Sequence, residues 1–323
     1  AWAATSASPY AEDMDNLPVI AIRFALYADL MVLAGVTAFS LYALKPEERG
    51  TALLPLAKPA LLLSLLGLLL SGGGMIALVA AMTGTSLWAV DGSAFREIVT
   101  QSAIGSAWVV RMAAVAIALL AALALGRIPH LARYCLLAST VLAIATLVWT
   151  GHAGATEGWT GSLHRLSDIV HMLAAAVWIG GIAAFSWLFF QPLAHQSDAQ
   201  IRIAHRALEQ FSRVGTLAVA LIVLTGIINS LSLMGLPHPY ALFASRYGQL
   251  LLIKLALFAA MLVLAGANRW RLTPALGAAI ANGNPAPALR GLRQSLVLET
   301  STVLTILAVV AWMGTLEPIM AYG

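Results

Sequence analysis

Charge is scarce in this chain. Asp, Glu, Lys and Arg make up only 10% of its 323 residues, against 60% hydrophobic ones, whereas soluble domains carry about a quarter charged residues. A soluble globular protein is thereby excluded. So is a nucleic-acid binder, because the formal net charge is only +4 and the basic residues flank apolar runs. Cysteine is almost absent too: Cys135 stands alone, which leaves no disulfide framework and no CxxC metal site. No two of the ten methionines fall three or four residues apart, so no single helix carries a thioether ladder for Cu(I). A GxxxxGK[ST] loop and an Asp-Lys-Thr-Gly sequence are both missing, so nothing here points to ATP. Neither Gly-x-Ser-x-Gly nor His-Glu-x-x-His occurs, and hydrolase chemistry has no support. The chain reads as a non-enzyme.

What the sequence does have is long apolar runs. Crossing a hydrocarbon core of about 30 Å takes about 20 residues, and eight segments meet that length: Leu17 to Leu44, Ala52 to Met82, Ile98 to Leu125, Leu131 to Thr150, Leu163 to Phe190, Val214 to Met234, Gly248 to Ala267 and Leu292 to Leu316. The fold class is therefore all-α, a polytopic membrane protein with a bundle of eight transmembrane helices. Residues 1–16 and 319–323 are tails, and residues 17–318 form the transmembrane domain. Orientation follows from the basic residues. Eleven Lys and Arg fall in or beside the odd-numbered connections, three in the even ones (Arg96, Arg165 and Arg246), and none in either tail. The positive-inside rule makes the odd loops cytoplasmic and both termini exterior, which in a Gram-negative cell is the periplasm. In the second span, Gly72, Gly73 and Gly74 are expected to admit a neighbouring helix or mark a kink. Ile201 to Phe211 reads as an interfacial extension of the sixth helix, and Asn282 to Pro287 as a turn.

Chemistry concentrates between Gly151 and Gly181. His152, His164 and His171, three of the seven histidines, collect where the fourth span ends and the fifth begins. His164, Asp168 and His171 lie at i, i+4 and i+7 and project from one helical face, with Trp178 and Phe185 continuing the stripe inward. Imidazole is a borderline ligand for copper, zinc, iron or nickel, and Asp168 is placed to orient a ring from behind. Seven residues span about 10 Å along a helix, so His164 and His171 cannot share one ion at bond lengths near 2 Å. They belong to two sites or to successive steps of one path, and His152 can join either. Met172 can contribute singly, and Glu157 with the acidic tail Glu12 to Asp15 favours cation approach. Spacing alone does not separate copper from zinc or haem iron. Asp29, Arg111, Lys254 and Glu299 fall inside predicted spans, where ionisable groups must pair, snorkel or line water. Asp29 and Arg111 are expected to pair. His205 reads as a solvated loop histidine.

Several of these residues occur in a familiar order: Thr100, Gly105, Trp108 and Arg111 in the third span; the Gly151-His152-Ala153 corner; His171-Met-Leu-Ala-Ala-Ala-Val-Trp-Ile-Gly-Gly; Phe211-Ser-Arg-Val-Gly; Tyr247-Gly-Gln-Leu-Leu-Leu-Ile-Lys-Leu-Ala-Leu running to Asn268-Arg269; and Glu299 with Trp312 and Pro318. The ordered set spans nearly the whole chain and resembles the CopD family of copper-resistance membrane proteins. That resemblance implies an inner-membrane protein of eight helices that moves a copper ion, Cu(I) or Cu(II), from periplasm to cytoplasm, with a separate periplasmic CopC-type copper-binding protein as a partner. It also implies His152 and His171 as ligands, with His164 nearby. Two other readings stay open: a b-type haem protein with histidines as axial ligands and tryptophans on the porphyrin, and a non-transporting copper chaperone or scaffold for oxidase assembly.

Overall fold

The computed structural model describes residues 17–49, 53–151, 154, 158–191, 198–234 and 239–317. Among these there is no strand. The helices are α1 (Leu17–Tyr42), α2 (Ala57–Thr83), α3 (Gly92–Gln101), α4 (Ala103–Ala124), α5 (Pro129–Ala145), α6 (Gly158–Phe190), α7 (Asp198–Met234), α8 (Pro239–Ala244), α9 (Arg246–Ala267), α10 (Thr273–Ala281) and α11 (Ala286–Met313). Eight helical stretches among the described residues are long and apolar enough to cross a membrane, the number that the hydropathy pattern predicts. The two tails lie outside the described residues.

Boundaries differ where polar residues cap or continue a helix. The third span does not begin at Ile98, because Ile98 to Gln101 belong to the separate helix α3, capped by the Asp91 carboxylate on Ser93. The chain is extended at Ser102, whose hydroxyl accepts from the Gly105 amide at 2.9 Å and starts α4. Here the N-cap chemistry of serine overrides hydropathy. A π-turn over Asn268–Leu272 leads from α9 into α10, so that helix continues well past Ala267. The turn expected over Asn282 to Pro287 closes by Pro285, where α11 is entered.

α1 and α6 form the centre. α1 packs on α2, α5, α6 and α11, and α6 also packs on α7 and α11, while α7 and α9 do not run along each other. The central contact is glycine on glycine: a methyl group on Gly35 would run into the Ala176 carbonyl and the Gly180 backbone, and one on Gly180 into Gly35. Two backbones touch because neither has a side chain there. Of the three glycines expected to do this in α2, a methyl group on Gly74 would meet Ile22 of α1 at 3.3 Å, whereas Gly72 and Gly73 have nothing within 4 Å, and α2 runs unbroken past them. Ile201 to Phe211 is the first part of α7 and so extends the sixth span, as expected. Ile201, Ala204, Ala207 and Leu208 are buried against Leu276, Leu289 and Leu292, closing the end of the bundle away from residues 151–157. His205 is no solvated loop residue, since its Nε2 lies 3.1 Å from the Thr273 carbonyl oxygen.

Candidate functional site

The start of α6 carries the polar face predicted for it, and α7 supplies the partners. Asp168 Oδ1 accepts from Asn229 Nδ2 at 3.2 Å. Ser167 Oγ donates to the Thr225 carbonyl oxygen at 3.2 Å. His171 Nδ1 lies 3.0 Å from Thr225 Oγ1, with Gly226 beneath the ring. The Thr225 hydroxyl has one proton, and it goes to the Leu221 carbonyl oxygen. Its oxygen therefore accepts, so His171 carries its own proton on Nδ1 and keeps the Nε2 lone pair for a ligand. This is the arrangement that fixes a metal-binding imidazole from behind. Thr225 does that work for His171, while Asp168, expected to orient a ring, accepts from Asn229.

His164, one stripe position further out, is buried at 4% exposure. Lys254 of α9 comes close enough for its charge to act on both Asp168 and His171, and the Tyr247 and Tyr27 hydroxyls sense Asp168 from α9 and α1. Arg23 donates to the Thr150 carbonyl oxygen at 3.2 Å and lies against Gly314, tying α1 to the end of α5 two residues before His152. His152 and Glu157 themselves lie outside the described residues. Met172 turns the other way, into the central apolar cluster with Leu30, Ile144 and Met31. Among the described residues no three His, Cys, Asp or Glu side chains converge to hold an ion.

Asp29 and Arg111 do not pair. Both are buried at 4% exposure, yet neither Asp29 oxygen, nor Nε or Nη1 of Arg111, has a hydrogen-bond partner among the described residues. The Asp29 carboxylate faces Gly67 of α2.

Glu299 is tied instead to the π-turn: Asn268 Nδ2 and Ser295 Oγ both donate to its Oε1, the latter at 3.2 Å. It lines a cavity of about 360 Å³ in the half of the bundle opposite residues 151–157, together with Trp178, Phe211, Thr216, Asn268 and Arg269.

Thr225 and Asn229 were missed in the sequence. The available signal was their i, i+4 spacing in an otherwise apolar run, the same spacing that singles out His164 and Asp168.

Comparison with known proteins follows the same order of residues. Residues 14–162 match the family described as copper resistance protein D-like, N-terminal domain, and residues 205–313 match copper resistance protein D. The copper resistance protein D of Pseudomonas syringae pv. tomato is 39% identical over 96% of this chain and all of its own length. The chain belongs to the copper resistance protein D family. Inner membrane protein YebZ of Escherichia coli is 28% identical over 93% of the chain and 98% of its own length. Copper transport protein CutJ of Bacillus subtilis is 34% identical over 56% of the chain and 34% of its own length. No solved structure matches. Family membership accounts for the ordered motifs, and the histidine-bearing start of α6 falls just beyond the first matched region.

Proposed function

We propose that this chain carries copper across the bacterial inner membrane, from the periplasm toward the cytoplasm, through a histidine-lined access site at the start of α6. His171 Nε2 is the inner ligand. His164 and His152 make the outer step, with Glu157 drawing cations in. Both termini are exterior, residues 17–318 are the copper-handling domain, and a periplasmic CopC-type protein is the donor. The Pseudomonas copper resistance protein D and the Bacillus copper transport protein CutJ support copper as cargo, and YebZ supports the inner membrane.

The observation that carries the reading is the His171 ring, held at Nδ1 by Thr225 so that its other nitrogen is presented to a soft or borderline ion. A histidine kept merely as packing would gain nothing from that fixed tautomer. Passage is passive or gradient-driven, since no energy-coupling motif is present.

The test is metal analysis of purified protein with copper uptake into vesicles. Wild type holds copper and admits it, whereas His171→Ala loses at least ten-fold in both. Equal copper in wild type, His152→Ala and His171→Ala sinks the site. Copper binding without uptake favours a chaperone, and a Soret band favours haem.

A further inference from the structure

The cavity beside Glu299 holds polar atoms without partners among the described residues, and the guanidinium that lines it, Arg269, is engaged elsewhere. Glu299 is buried at 4% exposure, and both of its hydrogen bonds fall on Oε1. Oε2 takes none. Asn268 Nδ2 donates to that carboxylate, and its Oδ1 is buried without a partner among the described residues. Glu299 has no cationic partner among the described residues, because the nearest candidate, Arg269, donates to Thr216 Oγ1 and the Ser212 carbonyl oxygen at the rim. A buried carboxylate left this way is expensive unless something positive or hydrated comes to it.

Position gives the cavity its meaning. His164, His171, Trp178 and Phe185 recur every seven residues on one stripe of α6, and the lower two line the cavity. Trp178 is about 10 Å further along the axis than His171. Its ring is buried at 4% exposure, and its Nε1–H has no partner. A hydrated ion answers all three groups at once: its water accepts from the indole, while carboxylate and amide oxygens face the charge.

Resting on the copper-carrying reading, we infer that this cavity is an inner cation station, where an ion leaving His171 passes the Trp178 indole and is received by Glu299 Oε2 and Asn268 Oδ1 before release. One carboxylate and one amide oxygen make a weak site for copper, as a release step requires.

Two measurements test it. In vesicles, Glu299→Gln lowers copper uptake at least ten-fold, while the copper retained through His171 stays as in wild type, which also reports that the variant folds. Glu299→Asp restores part of the uptake. Separately, in protein carrying His164→Ala and His171→Ala, copper(II) chloride quenches tryptophan fluorescence. Trp178→Phe removes the quenched component, and adding Glu299→Gln raises the half-quenching copper concentration at least ten-fold. Equal uptake by wild type and Glu299→Gln, or superimposable quenching curves with and without Glu299→Gln, overturns the station. A wild type that admits no copper overturns the carriage reading alone, and the quenching curves then decide the cavity.

Discussion

Thr225 decides what His171 can do. Its hydroxyl proton is committed to the Leu221 carbonyl oxygen, so the histidine must donate to it, and the ring cannot rotate without losing that bond. Replacing Thr225 with valine keeps the shape and removes the acceptor. Metal affinity should fall about 10- to 100-fold, the usual cost of losing a partner behind a ligand, as measured by competition with a copper chelator. Asn229→Ala frees Asp168 Oδ1 and should have a smaller effect, because Lys254 still approaches that carboxylate. Outside the spans, Glu48 joins the turn after α1 to Arg206 of α7. Burial alone would raise its carboxyl, but the Lys45 amide and the Arg206 guanidinium outweigh that and hold it below the ordinary carboxylate range. A carboxyl lowered by folding stabilises above its unfolded value and loses that contribution as pH falls through its folded one. Protection of the amides of residues 45–49, taken relative to their intrinsic exchange rates at each pH, should therefore fall on acidification below about pH 4, and Glu48→Gln should show the lower protection at neutral pH.

At the level of helices, the α1–α6 contact sets the tolerance. Gly180→Leu places a side chain where the Gly35 backbone already lies. Overpacking of this kind costs about 1–3 kcal/mol or more, and a thermal melt in detergent should show a clear drop. Gly73→Leu, with nothing within 4 Å, should melt like wild type. The contrast marks what a sequence can disclose. The eight spans were readable because hydropathy is a property of each segment by itself, and the His164–Asp168–His171 face was readable because helical spacing is local. Which glycines touch depends on which helices become neighbours, and nothing in Gly72-Gly73-Gly74 distinguishes it from Gly35 and Gly180 until α1 lies on α6. Thr225 and Asn229 were hidden for the same reason, as was the separation of Asp29 from Arg111. α3 was obscured differently: its last residues, Ile98 to Gln101, abut the apolar run of α4 directly, and the Ser102 cap divides them.

Over the whole bundle, direction is the property that remains to be fixed by measurement. The basic residues predict that Asn284, in the turn before α11, faces the cytoplasm. Cys135 is the single cysteine, so a Cys135→Ser background makes site-directed labelling clean. Asn284→Cys should react with a membrane-impermeant maleimide in inverted vesicles and stay unlabelled in intact spheroplasts; the reverse pattern would invert the path from His164 to Glu299.

The bare backbone contact of Gly35 with Gly180 also limits how such a path can open. Two main chains in direct touch leave no compressible layer between them, so α1 and α6 turn as one mast. In the copper-carrying reading, that contact opposes any opening that separates α1 from α6. Opening then falls to helices outside that pair, so a cross-link between α1 and α6 should leave copper uptake unchanged.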